Sequence, residues 1–388
     1  MLKSLLAASG IAAIALAAPA AQADQGEFSV VASTAAVAPS DPAFARFAPR
    51  DRLNSRQIDY TAWSEAMNYL VFPMGRSLRE TSSLPAPGMG TRRIYGHTSI
   101  YRLEGNRVMF GFFTDELRQM VADYRAELEQ TGAQVDIASL PRNEQLAYWV
   151  NLHNVAMIEQ IAKAWPIRQP RDIEIDGVPL DQAKFITVAG VRMSPYDIRH
   201  QIVYRHWQDP KVIYGFWRGD IGGPSIASDA YSGANVGAML DRNAREFVNS
   251  LRGVQENGGQ LQVSAIYDEA RPYFFADWPN SLRAHLAAFA DADVQGLLKE
   301  TSATEAVIYE ADIADLEGGV REPTYSLVTT TGRDGVERAQ SFRIPQGIAR
   351  LLSEQATKAE RLQKEGRTGR VIFNPVTLPG TEGTAEVE

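Results

Sequence analysis

One long helical pattern restricts the possible folds of this chain more than any other feature of its sequence. It begins near Pro141, includes LAYWVNLHNVAMIEQIA at residues 146–162, and ends at Trp165–Pro166. Proline is tolerated in the first turn of a helix but stops a helix that reaches it, so both ends are marked. Apolar residues fill one half of the helical wheel, while Glu159 and Lys163 lie on the other half. The pattern therefore predicts a long helix that packs its apolar half against a core.

Two asparagines, Asn151 and Asn154, lie within the apolar half of this helix. They are one turn apart, so their amides can reach the same neighbour. Burying an amide without partners costs roughly 1 to 3 kcal/mol, so each must find hydrogen bonds. The favoured interpretation is that they brace the helix against the backbone of a crossing loop. The alternative is that they line a cleft or orient a histidine, and His153 beside them is interpreted as a boundary histidine.

The first residues have the pattern of a signal peptide. Lys3 precedes an apolar run from Leu5 to about Ala18, and a small-x-small sequence ends at Ala23. We predict cleavage after Ala23 and a periplasmic or secreted protein. The apolar run is shorter than the roughly 20 residues that span a bilayer, and no other stretch approaches that length. The mature chain is therefore expected to be soluble, without a transmembrane segment.

The composition excludes several classes of function. The formal net charge of the 388 residues is −8, and no long basic run indicates a nucleic-acid partner. The absence of cysteine excludes disulfides, thiolate metal sites and a cysteine nucleophile. Because 45% of the residues are hydrophobic, a chain of this length can be stabilised by packing alone.

The chain is predicted to be an α+β protein, with helices packed on a small, mostly antiparallel sheet in a single main domain. Helices and short strands mix without regular βαβ alternation. The predicted divisions are a signal peptide (1–23), a flexible or loosely docked N-terminal arm (24–50), the main domain (51–330), a C-terminal extension (331–375) and a disordered tail (376–388). The extension contains an amphipathic helix from about Gln346 to Lys364. A hairpin over 94–113 and a strand at VIYGFW, 212–217, are also expected.

A second helix is predicted at SPYDIRHQIVYRHW, residues 194–207. Ser194 can cap this helix, and Asp197 three residues later completes a capping-box pattern. The sequence therefore fixes the start of the helix that carries His200.

His200 is a better candidate for a catalytic histidine than His153. It shares a helix face with Tyr196 and Tyr204, so desolvation is expected to lower its pKa and to favour the neutral form that a general base needs. A core histidine that donates to a carbonyl is the alternative. Because His206 does not share this face, no metal site is predicted.

The glycine-broken loop GDIGGPSI, residues 219–226, is the second candidate for chemistry. Consecutive glycines let backbone amides approach a ligand closely, and Ser225 could be a nucleophile if His200 reached it. An ordinary turn is the alternative. No phosphate loop, dinucleotide fingerprint or zincin motif occurs, so no cofactor is predicted.

In combination, the blocks LAYWVNLHNVAMI, SPYDIRHQIV, GDIGGPSI, VGAMLDRNAREFVNS and LQVSAIY resemble the bacterial and plant family known as domain of unknown function 547. The resemblance covers about residues 139–300. The family has no settled activity, but its asparagine pair, its histidine after an Ile-Glu dipeptide and its cysteine before proline resemble the parts of papain-like cysteine hydrolases.

This sequence departs from the family pattern at two positions. Arg199 stands where the family usually has glutamate, and Gly223 stands where it usually has cysteine. A glycine has no side chain to attack with, so cysteine chemistry is excluded here. The positions that match the family are Trp149, Asn151, Asn154, His200 and Pro224.

Three hypotheses for function follow. The first is a catalytically degenerate binding domain of the cell envelope, whose partner is a peptide, polymer or protein of that compartment. The second is a serine hydrolase with Ser225 as nucleophile, His200 as base and glycine amides of residues 219–223 holding an oxyanion. The third is a structural scaffold. The predicted ligand contacts are Trp149, Tyr196, Arg199, Asp220, Gly222 and Gly223.

Overall fold

The computed structural model describes residues 37, 39–50, 55–87, 93–331 and 338–367. The predicted signal peptide and the predicted disordered tail lie outside these residues. Within the described ranges, no helix is both long enough and apolar enough to cross a bilayer.

Helices and short strands mix along the chain, and the predicted α+β class is confirmed. The α-helices are α1 (Thr61–Leu70), α2 (Asp115–Gln134), α3 (Arg142–Ala164), α4 (Pro195–Asp197), α5 (Tyr204–His206), α6 (Val236–Val248), α7 (Ile266–Phe274), α8 (Asn280–Phe289), α9 (Ala292–Glu300) and α10 (Gln346–Lys364). A π-helical turn, Ile198–Val203, joins α4 to α5. The 3-10 helices are Pro42–Phe47, Phe110–Phe112, Ile137–Ser139, Pro170–Asp172 and Pro210–Gly215.

The strands are short and form separate small sheets, where the sequence predicts one sheet. They are β1 (Val71–Phe72), β2 (Arg107–Val108), β3 (Glu174–Ile175), β4 (Val178–Pro179), β5 (Ile186–Val188), β6 (Val191–Met193), β7 (Val254–Asn257), β8 (Gln260–Ser264), β9 (Thr304–Ile308), β10 (Thr324–Thr331) and β11 (Arg338–Pro345). The pairs β1–β2, β3–β4, β5–β6 and β10–β11 are antiparallel. Strand β8 pairs antiparallel with β7 and parallel with β9. Pairing is therefore mostly antiparallel, as predicted.

Helix α3 lies at the centre of the core and has the predicted bounds. Every residue from Glu144 to Glu159 is buried, so protein surrounds the helix on all sides. The predicted exposed half is wrong in this respect, because Glu159 is 1% exposed and pairs with Arg125 and Lys163. A helix in the middle of a large core has no solvent face, and its polar residues must be paired inside the protein.

A predicted strand and a predicted hairpin are absent from the described residues. Residues 212–215 of the expected strand VIYGFW belong to the 3-10 helix Pro210–Gly215, in which Val212 and Ile213 are buried. Short apolar runs do not distinguish a strand from a buried helical turn, which explains the error. The expected hairpin over 94–113 is also wrong, because β2 pairs with β1, which lies before residue 94, and the described residues 94–106 contain no strand.

The predicted flexible arm is docked at its C-terminal end. Asp41 caps the 3-10 helix Pro42–Phe47, in which Phe44 and Phe47 are buried. The ring of Phe47 meets the ring of Trp149 edge-on, with 5.1 Å between centroids. These residues therefore belong to the core.

The predicted domain boundary at residue 330 divides a hairpin, because β10 pairs with β11 along its whole length. Helix α10 has the predicted bounds, and its Ile348 and Leu351 are buried in a cluster with Phe72 and Met109. The C-terminal extension therefore adds to the main domain.

Glu317 lies in a buried polar turn beside the end of α3. The neighbouring carboxylate of Asp315 accepts hydrogen bonds from the indole N–H of Trp165 at 2.9 Å and from the backbone N–H of Gly318 at 2.6 Å. Glu317 itself is 6% exposed. Burial and repulsion by Asp315 raise the pKa of Glu317 to about 8. The folded protein therefore holds a proton on Glu317 at neutral pH.

Replacing Glu317 with glutamine should stabilise the protein above pH 5. In the unfolded chain this carboxyl has its ordinary pKa near 4.5, so the wild type loses stability as pH rises from 4.5 to about 8, whereas Glu317→Gln has no proton to lose. The free energy of unfolding of the variant, relative to wild type, should increase between pH 5 and pH 8 by on the order of 1 to 3 kcal/mol. Urea denaturation measures it. The exposed Glu300→Gln is the control, and a difference independent of pH would contradict the prediction.

Candidate functional site

His200 lies in the π-helical turn that follows the Ser194 capping box. Both capping hydrogen bonds predicted for Ser194 and Asp197 are present. The imidazole is stacked on Tyr196, with 3.9 Å between ring centroids, and meets Tyr204 edge-on at 5.1 Å. The predicted alignment of these rings is therefore confirmed. π-Helical turns are frequent at functional sites because they shift side chains out of the regular helix register.

Glu269 of α7 is the partner of His200, a pairing that no motif or spacing in the sequence predicts. The Nε2 of His200 lies 2.8 Å from Oε1 of Glu269. The guanidinium of Arg218 donates to the other oxygen. Although burial opposes it, the charges of Arg218 and Arg199 hold the pKa of Glu269 well below its usual range. Glu269 is therefore a carboxylate at all physiological pH values.

The second nitrogen of His200 is also engaged by the protein. Its Nδ1 lies 3.4 Å from the hydroxyl of Tyr273, and that hydroxyl donates to the backbone carbonyl of His200 at 3.2 Å. Burial lowers the pKa of His200, although Glu269 opposes the shift. The histidine is thus neutral near pH 7, with one nitrogen on a carboxylate and the other facing a phenol.

Arg199 is buried and binds two carboxylates. Its two terminal nitrogens donate to the two oxygens of Asp181, each at 2.7 Å, and its Nε lies 3.3 Å from Glu269. The Nη1 also lies 3.0 Å from Nε2 of His153, and burial together with the charge of Arg199 lowers the pKa of His153 to about 3. His153 is therefore a neutral acceptor inside the core, and its interpretation as a boundary histidine is wrong, because its side chain has no exposed surface.

Five residues thus form what we call the charged cluster: Asp181, Arg199, His200, Arg218 and Glu269. The cluster reaches the surface, because the side chains of Asp181, Glu269 and Arg218 are 40%, 24% and 21% exposed. A buried arginine at 199 requires carboxylate partners, but the sequence does not show which acids supply them.

The charge of Arg218 also acts on the carboxylate of Asp220, and that carboxylate contacts Gly223. The backbone N–H of Gly223 donates to Oδ1 of Asp220 at 2.8 Å. A Cβ placed on Gly223 would lie 2.8 Å from that same oxygen, so the Asp220 carboxylate occupies the space that a side chain at 223 would take. Burial raises the pKa of Asp220 to about 6, against the opposing charge of Arg218.

Gly222 packs closely against the backbone of Glu310. Its N–H donates to the carbonyl of Glu310 at 3.0 Å, and a Cβ on Gly222 would lie 2.6 Å from the backbone of Glu310. The amides of Gly222 and Gly223 are therefore both used within the protein. The oxyanion site predicted for the 219–223 loop lacks these two donors.

Ser225 has partners other than His200. Its hydroxyl donates to Glu246 at 2.9 Å and accepts from Arg252 at 3.0 Å and from the backbone N–H of Asn106 at 3.2 Å. Among the described residues, no hydrogen bond joins Ser225 to His200. The predicted nucleophile and base are thus in two separate networks.

Asn151 and Asn154 bind backbone and face no open cleft. Asn151 donates to the carbonyl of Tyr231 at 2.7 Å and accepts from its N–H at 3.0 Å. Asn154 donates to the carbonyl of Gly215 at 2.9 Å and accepts from the N–H of Trp217 at 3.1 Å, and its Oδ1 also lies 3.0 Å from Nδ1 of His153. The backbone contacts fit the favoured interpretation, in which the amides brace α3 against crossing loops, and the contact with His153 fits the alternative in which an amide orients a histidine.

Of the predicted ligand contacts, Tyr196 and Arg199 lie at the charged cluster, and Asp220 and Gly223 lie beside it. Trp149 is fully buried in the core and Gly222 packs on backbone, so neither offers a ligand surface. Within the part of the chain that the structure describes, no group of three histidine, aspartate or glutamate side chains could hold a metal ion.

The family described as "Protein of unknown function, DUF547" matches residues 137–248. This match confirms the resemblance over residues 137–248, the range in which Asn151, Asn154, His200 and Gly223 all lie, whereas the block LQVSAIY and the predicted extension to about residue 300 fall outside the matched range. No curated protein and no solved structure matches the chain significantly. Glu269, the partner of His200, comes from beyond the matched range.

Replacing either asparagine with alanine should destabilise the fold. Each change removes two buried hydrogen bonds and leaves a backbone N–H and a carbonyl without partners, at a cost of about 2 to 4 kcal/mol. Chemical denaturation of Asn151→Ala and Asn154→Ala measures the loss. The matched control is Gln160→Ala on the same helix, which should cost under about 1 kcal/mol. Variants as stable as the wild type would show that the amides are free for another role.

Proposed function

We propose that the protein is a non-catalytic binding domain whose ligand lies on the charged cluster and on the exposed ring of Tyr196. The observation that carries this proposal is the surroundings of the two ring nitrogens of His200: Nε2 lies 2.8 Å from the carboxylate of Glu269, and Nδ1 faces the hydroxyl of Tyr273 and not Ser225. A general base needs a nitrogen directed at the group it deprotonates.

The loop of residues 219–226 also supports a non-catalytic role. Gly223 has no side chain, and the carboxylate of Asp220 fills the space beside it. Ser225, the other candidate nucleophile, donates its proton to Glu246 in a separate network. A nucleophile, a base and a free pair of amides are the minimum for acyl transfer, and none of these is assembled at the cluster.

The charges of the cluster favour a ligand that carries both signs. Arg218 is partly exposed and attracts a carboxylate, while Asp181 and Asp220 attract an amine. Tyr196 is 37% exposed and is held flat by the imidazole, so it presents a rigid apolar surface beside these charges. A short peptide with free amino and carboxylate groups combines all three features. We therefore assign peptides of the cell envelope as the ligand class.

The signal-peptide pattern of residues 1–23 is the reason for choosing the cell envelope as the compartment. We propose export to the periplasm or beyond, with cleavage after Ala23. The N-terminal sequence of protein recovered from the envelope fraction tests this step. A chain that begins at Asp24 is expected, and intact protein retained in the cytoplasm would contradict export.

The binding proposal is tested by calorimetric titration of the mature protein with envelope peptides and with uncharged glycans. We expect peptides to bind and glycans not to bind, and we expect Tyr196→Ala and Arg218→Gln each to weaken peptide binding about tenfold. Tyr69→Ala removes a tyrosine of α1 that is 48% exposed, more than Tyr196, and should leave binding unchanged.

Two results would overturn the proposal. One is peptide binding that is the same in Tyr196→Ala as in the wild type, which would place the site elsewhere. The other is labelling of the wild type, but not of Ser225→Ala, by a fluorophosphonate probe. That labelling would show an active serine hydrolase.

A further inference from the structure

A cavity of about 550 Å³ lies between α6 and the loops that follow β1 and α8. Its lining is Pro73, Gly75, Arg76, Ser77, Asn106, Ser225, Ala227, Ser228, Arg242, Asn243, Arg245, Glu246, Asn249, Phe289, Ala290 and Asp291. No residue of the charged cluster lines it. The volume is in the range of cavities that hold small organic molecules.

The two acids of the lining are already paired. Glu246 forms an ion pair with Arg252, which is fully buried behind the cavity wall, and it also accepts the hydroxyl proton of Ser225. Asp291 lies 3.7 Å from Arg76 and accepts from the first turn of α9. The negative charge on this wall is therefore largely neutralised before any ligand arrives.

Two arginines of the lining have no carboxylate partner among the described residues. Arg242 and Arg245 are three residues apart on α6, so both side chains lie on one face of that helix. Each is exposed, and the guanidinium of Arg245 lies 5.9 Å from the ring centre of Phe289. In a chain with net charge −8, two unpaired guanidinium groups beside one cavity form a local site of positive potential.

The rest of the lining offers apolar surface and amides. Phe289, Ala290, Pro73 and Ala227 supply carbon surface, and Asn243 is held in place by the hydroxyl of Tyr231 at 2.8 Å. A ligand that matches this cavity has an anionic head for the arginines and an apolar body for the carbon surface beside them.

We infer that this cavity is a second binding site, for a small organic carboxylate with an apolar body. It is independent of the peptide site proposed above, because the two share no lining residue. The arginines recognise the carboxylate by paired N–H donors, and Phe289 covers the apolar part.

The probe for this site is 8-anilinonaphthalene-1-sulfonate, an anion with an apolar ring system, whose fluorescence reports binding to the mature protein. We expect saturable binding that benzoate displaces, and we expect the double variant Arg242→Gln/Arg245→Gln to bind the probe at least tenfold more weakly. Arg192→Gln, an exposed arginine of β6, is the matched control and should bind as the wild type does. Tyr196→Ala should also leave probe binding unchanged, so failure of the peptide site and failure of this site are separate results.

Wild-type affinity in the double variant would overturn the inference. So would displacement of the probe by benzyl alcohol as effectively as by benzoate, because the site would then select apolar surface alone. Displacement by inorganic phosphate as effectively as by benzoate would equally overturn it, because the apolar wall would then contribute nothing. These competition measurements use the wild-type protein and do not depend on the folding of any variant.

Discussion

The burial of α3 from Glu144 to Glu159 is the constraint on which the rest of the structure depends. Helices and loops surround this stretch, and the backbone of those loops cannot reach water. Asn151 and Asn154 provide the missing donors and acceptors, at Tyr231 and at Gly215 and Trp217. The next residue after Trp217 is Arg218, so the hydrogen bond between Asn154 and Trp217 also helps to position the guanidinium of Arg218 in the charged cluster. The side-chain amide of Asn154 thus connects the core to the candidate site.

The buried guanidinium of Arg199 dominates the electrostatics of the site. A buried guanidinium is stable only with paired carboxylates, and Asp181 and Glu269 supply them. Glu269 comes from α7, outside the range 137–248 that matches the family. The site in the matched segment therefore needs a carboxylate from the sequence that follows it. In that sequence, β8 precedes α7 and β9 follows it, and the two strands pair in parallel.

Local signals in the sequence predicted local structure well. The proline at the end of α3, the capping box at Ser194 and the apolar spacing of α10 each act within a few residues, and each gave the correct element. The segment VIYGFW gave the wrong element because apolar β-branched residues suit both a strand and a buried turn. The site was harder to predict, since Asp181, Arg218 and Glu269 meet His200 only in the folded chain. Ser225 illustrates the same limit: its spacing from Gly223 was suggestive, but the loop turns its hydroxyl toward Glu246.

The position of the Asp220 carboxylate limits which residues can replace Gly223. Because that carboxylate accepts the N–H of Gly223 and occupies the space of a side chain there, the glycine and the aspartate depend on each other. A side chain introduced at 223 would meet this carboxylate at once, so the carboxylate would have to move before a larger residue could be accommodated. A substitution at 220 therefore changes which residues position 223 can accept, and the two positions form a coupled pair.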